Sequence, residues 1–139
     1  MPEDLLGLVE SHLLSSAAQH GMRVVSHEES GSFDNALVVL QGGDVRVRVI
    51  RERSQVFVDF GSSSEPAVWF DSAVVMEYLG LSDTAGWHDR DGAGVLKGLA
   101  DFLRAFWLEL SVRFSPATFP VAKQELTRVR EEQSVRRFG

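Results

Sequence analysis

The chain has 139 residues, a size that suits one compact domain able to bury about two-thirds of its extended-chain surface without a metal or disulfide. An apolar fraction of 44% and a charged fraction of 24% exclude low-complexity disorder as a description of the whole. Without cysteine there is no disulfide scaffold, no Cys-ligated zinc or iron–sulfur centre and no thiol nucleophile.

The net charge of −6 is unevenly spread. Residues 1–60 hold nine acids against five bases, residues 61–94 six against one, and residues 95–139 five against eight. An acidic total argues against nucleic acid as a partner, because its binders usually carry a strongly basic face. No apolar run approaches the roughly 20 residues that span a bilayer, and the start Met1-Pro2-Glu3-Asp4 is acidic where a secretory leader is basic. The expectation is a cytoplasmic protein with no membrane partner.

Asp4 to His20 repeats apolar residues at helical spacing (Leu5 or Leu6, Val9, Leu13, Ala17), with acids at its start and Gly21 as its stop. Four strands follow. Met22–His27 is the first, before a turn at 28–32, and Asn35–Leu40 is the second, before the hairpin glycines Gly42-Gly43. Val45–Val49 alternates valine with arginine, and after a turn over 51–54, Gln55–Phe60 sets Val56, Val58 and Phe60 against Phe57. Each connection is too short for a crossover helix, so the strands are expected to form an antiparallel meander.

Residues 61–66 read as a polar loop. Asp71–Leu79 reads as a short helix capped by Asp71 or Ser72 and ended by Gly80. Residues 80–94 read as a Gly/Asp-rich connection. Val95–Phe114 carries the widest apolar stripe, with Leu96, Leu99, Phe102, Leu103, Phe106, Trp107 and Leu110. Pro116 and Phe119-Pro120 break the chain before a polar last helix over 121–137, with Leu126 and Val129 inward and a Glu132–Arg136 pair on its surface. The fold class is therefore α+β in a single domain, 1–139: a four-stranded antiparallel meander preceded by one helix and followed by three helices packed on the sheet.

Arg46 and Arg48 share one sheet face about 7 Å apart, and Arg51 and Arg53 carry positive charge on into the turn. Such a row suits paired recognition of carboxylate or phosphate. The plainer reading is a solvated strand whose arginines pair with Asp59 or Glu52. The loop Asp83–Gly92 concentrates Trp87, His88, Asp89 and Asp91 and reads either as an exposed connection or as a recognition loop. It lacks the ligand spacing of a calcium loop, and Gly92-Ala93-Gly94 lacks the lysine of a phosphate loop. His12, His20, His27 and His88 are scattered without ligand spacing, and His20 suits the C-terminal end of a helix dipole. No Gly-x-Ser-x-Gly elbow is present.

No catalytic, cofactor-binding or metal-binding residue is assigned, and no cofactor is expected. Trp69, beside a connection, is either an interface anchor or a pin holding a loop to the sheet. Val38 and Val39 point to opposite faces, as do Phe57 and Val58, so both faces of the sheet carry apolar residues. Either the terminal helices cover part of the second face or another protein does, which supports a homodimer or a partner interface.

The stretches Phe33–Leu40 and Arg46–Phe60, followed by Trp69-Phe70, resemble small bacterial α+β proteins of the toxin-immunity type. The resemblance implies a non-catalytic protein that binds and neutralises a secreted toxin, and it carries no active-site residue. A homo-oligomeric accessory or chaperone-like protein is the second expectation. A small-ligand binder, or a hydrolase with a carboxylate/His site near 83–92, is the third.

Overall fold

The computed structural model describes residues 4–29, 35–81 and 91–138. Their elements run α1 (Leu5–His12), α2 (Leu14–Ala18), β1 (Arg23–Glu29), β2 (Ala36–Gly42), β3 (Val45–Glu52), β4 (Gln55–Ser62), β5 (Phe70–Asp71), α3 (Ser72–Tyr78), α4 (Gly92–Arg113) and α5 (Phe119–Phe138). The class is α+β, as expected. The sheet is an antiparallel meander in the order β1-β2-β3-β4-β5, five strands rather than four. The added strand is only two residues long, with Phe70 opposite Phe60 and Asp71 opposite Asp59. Such a strand is too short to show alternation in a sequence.

The expected first helix is interrupted at Leu13, whose backbone leaves helical angles. The bonds along its buried seam persist through the break: Leu13 N–H donates to the Val9 carbonyl and Ala17 N–H to that of Leu13, both at 2.9 Å. Leu5, Val9, Leu13 and Ala17 are consequently all buried, and Gly21 ends the segment at φ +75°. The apolar spacing survives a change in backbone because the seam, and not the exposed side, is held by packing.

Strands alternate against the core. Val38, Leu40, Val45, Val47, Val49, Val56, Val58 and Phe60 join apolar side chains of α1, α3, α4 and α5 in one cluster. Helix α1 packs on β2, α2 on β1, and α3 and α4 on β4. Helix α5 packs chiefly on α3, with Leu126 and Val129 buried, and meets the sheet at its edge, where the Arg130 guanidinium lies 4.9 Å from the centre of the Phe70 ring of β5. Its start also differs from expectation: Pro120 lies in the first turn, where the lost N–H has no helical acceptor, so it begins the helix rather than breaking it. Arg136 reaches across to Glu77 on α3 (2.6 Å), while Glu132 pairs with Arg128 (3.7 Å), so the expected Glu132–Arg136 pair does not form.

Residues 61 and 62, expected in a loop, continue β4. Ser62 is fully buried, and its hydroxyl donates to the Phe114 carbonyl at the end of α4 (2.7 Å). This bond ties the sheet to the turn between α4 and α5, where the Phe114 and Phe119 rings pack 5.4 Å apart. No described helix is long and apolar enough to cross a membrane.

Candidate protein-binding face

The described helices pack on one side of the sheet and leave its other side without a helical cover. Cross-strand register arranges that outer side in three rows, because directly opposite residues share a face. The first row runs Arg23, Gln41, Arg46, Gly61. The second runs Ser26, Val39, Arg48, Asp59, Asp71. The third runs Glu28, Leu37, Ile50, Phe57.

At one end of the face stands Trp69. The Arg48 guanidinium lies 4.5 Å and that of Arg46 5.0 Å from the centre of its ring. The connection that carries it folds back onto β4 because position 61 is glycine: a Cβ there would come within 2.8 Å of the Val68 carbonyl oxygen and 3.1 Å of the indole. Arg46 holds the same connection by donating to the Pro66 carbonyl (3.0 Å). Lys123 of α5 holds it from the other side through Glu65 (2.7 Å). Trp69 is thus a half-buried pin that also offers part of its surface, and cation–π contacts of this kind are each worth about 0.5–2 kcal/mol.

Arg48 donates through both Nε (3.0 Å) and Nη2 (2.7 Å) to Oδ2 of Asp59. Burial of that carboxylate raises its pKa above the ordinary aspartate value. Its bonds and charge contact with Arg48 oppose the rise, and the neighbouring Asp71 charge adds to it. Asp71 is itself occupied in capping α3, where it accepts from the Val74 N–H (2.9 Å).

The far end is apolar. Phe57 is 45% exposed, and Leu37 and Ile50 are half-buried beside it. With Ala36, Asn35, Glu28, Arg51 and Glu52, Leu37 and Ile50 line a shallow cleft of about 270 Å³. Val39 lies between the two ends, buried yet outside the core cluster, with Ser26 and Arg48 directly opposite it.

Of the residues singled out from sequence, Arg46, Arg48 and Trp69 come together here. Arg51 and Arg53 do not join them. Strand β3 runs on through Glu52, so period-two alternation turns Arg51 to the helix side, 4.0 Å from Glu29, a residue whose carboxylate accepts from the Leu5 N–H. Arg53 sits in the β3–β4 turn at positive φ (50°), about 20 Å along the strand from Arg46. The expected row of four arginines is therefore two arginines on one face, one on the other and one in a turn.

Asp91 is a helix cap: its side chain accepts from the Gly94 N–H (2.7 Å) at the start of α4. A carboxylate already fills the position that an anion would need there. Trp87, His88 and Asp89 lie outside the described residues. His20 follows α2 and stacks on Trp107, ring centres 5.0 Å apart.

Sequence reasoning left Arg23, Leu37 and Ile50 out of the site. Their signal is register rather than composition: the alternation of β3, extended by one step, puts Ile50 on the arginine side, and pairing then brings in Leu37 and Phe57. Arg23 joins through Gln41 only once the β1–β2 bulge between Val24 and Ser26 is counted. Comparison with protein-family models, with curated proteins and with solved structures finds no match for this chain.

Proposed function

We propose that this chain is a non-catalytic protein–protein binding domain that docks its partner on the helix-free face of the sheet. Its most concrete form is an immunity protein that neutralises a bacterial toxin, acting in the cytoplasm. The observation that carries this reading is Phe57, an exposed aromatic flanked by Leu37 and Ile50 on the side of the sheet turned away from the described helices. Two further features support it. The face also carries an aromatic, Trp69, held in place at its opposite end, and aromatic residues are enriched among those that carry binding energy at protein interfaces. Its central charges, Arg48 and Asp59, are already paired with each other, which leaves them to set specificity rather than to carry out chemistry.

Phe57→Glu tests the reading. A substitution at so exposed a position should shift stability by about 0.5 kcal/mol or less. Affinity capture from the native organism, run beside size-exclusion mass determination, should yield one stoichiometric partner with the wild-type chain and lose it with the variant. Equal capture by both chains, or no partner for either, would overturn the proposal.

A further inference from the structure

The three rows of the outer face are polarised, and their order says what a partner must present. In the first row Arg23 and Arg46 face the same side with Gln41 between them, and among the described residues neither has a carboxylate partner. In the second row Arg48 is neutralised by Asp59. The third row is apolar except for Glu28 at its edge. Arg23 and Arg46 place a local positive field at the first row, on a face whose other rows also carry the carboxylates Asp59, Asp71 and Glu28. Such a field attracts a complementary acidic group and orients it, while the apolar row supplies burial.

Resting on the reading of this face as the docking surface, we infer that its partner is an acidic, amphipathic protein segment. It places carboxylates opposite Arg23 and Arg46, and aliphatic or aromatic side chains over Leu37, Ile50 and Phe57. Ile50 lies four residue steps along β3 from Arg46, so acid and apolar anchor stand about 14 Å apart. That spacing corresponds to two to three turns of a helix laid along β3. Arg46 already lies on Trp69 and bonds the Pro66 carbonyl, so its guanidinium is held in place before a partner arrives, and little side-chain entropy is lost on binding. Glu28 borders the apolar end and rejects a second acid there, which gives the segment one direction along the strand.

Selection of a random twelve-residue peptide library displayed on phage, against the immobilised full chain, tests the inference. Peptides enriched on the wild-type chain over Phe57→Glu are expected to combine Asp or Glu with aliphatic or aromatic residues. Their binding should weaken roughly tenfold with Arg23→Glu and further with Arg46→Gln, which keeps a donor for the Pro66 carbonyl, and it should weaken as sodium chloride is raised. Enriched peptides that are basic or uncharged, or whose binding ignores both arginines and salt, would overturn the inference while leaving the docking face standing. No enrichment over Phe57→Glu would remove the docking face itself, and the inference with it.

Discussion

Phe57 and Phe60 are the same residue type, three positions apart on one strand, and they live in different environments. Phe60 is fully buried, edge-on to Phe102 at 5.5 Å and opposite Phe70 on β5. Phe57 points to the other side and is 45% exposed. The contrast extends across the sheet. Val47 and Val49 are sealed by helices, whereas Arg46, Arg48 and Ile50 between and beside them are half-exposed on the outer face. Alternation in a strand sorts side chains into two sets, and the helices then decide which set becomes core. An exposed apolar residue in the set left uncovered, such as Phe57, is informative because helix packing gives no account of it.

The contrast is broken most strongly at its buried member. Phe60→Ala should cost about 3–5 kcal/mol through lost burial and the cavity left between β4, β5 and α4, measured by chemical denaturation. A cost as small as that expected for Phe57→Glu would mean that the two faces are not energetically distinct.

A smaller effect is expected at Ser62. Ser62→Ala removes the donor to the Phe114 carbonyl in a buried position and should cost about 1–3 kcal/mol. A neutral outcome would show that the sheet and the end of α4 are not joined there.

Smallest, and sharpest for the outer face, is the pH dependence set by Asp59. Its pKa is raised in the folded chain, mainly by burial, so protonation favours the folded state. The associated stability is fully present below about pH 3.9, the unfolded aspartate value, and is lost as pH rises through the folded value. The stability of wild type relative to Asp59→Asn should therefore improve as pH falls through that window, read from denaturation midpoints of both chains. A difference that worsens on acidification would show that the Arg48 pair, not burial, governs this carboxylate.

Much of this architecture is legible in local pattern. The valine–arginine alternation of β3, the hairpin glycines after β2, and the apolar stripe of α4 each state their element, because one buried face imposes its own period on the chain. Arg46 and Arg48 could be placed on one face from the same pattern. Arg51 could not, because its side depends on where β3 ends. That end is set by pairing with β4 through Glu52↔Gln55, a non-local fact. Ser62 was equally opaque: serine in a Gly/Ser run reads as loop, and only the approach of Phe114, fifty-two residues away, makes it a buried donor. Trp69 was visible as an aromatic near a connection, but its seat required the bare backbone of Gly61 and two arginines from a neighbouring strand.

The sequence by itself determined that the chain is α+β, that its strands are joined as a meander, and which residues share a side where alternation is unbroken, as over Val45–Val49 and Gln55–Phe60. These follow from side-chain period and from connections too short to cross the sheet. The tertiary structure alone decided that a fifth strand closes the edge, that the described helices gather on one side, and that Arg23, Arg46, Trp69 and Phe57 stand on the other. Those outcomes depend on register and on packing between distant segments, and no local pattern encodes them.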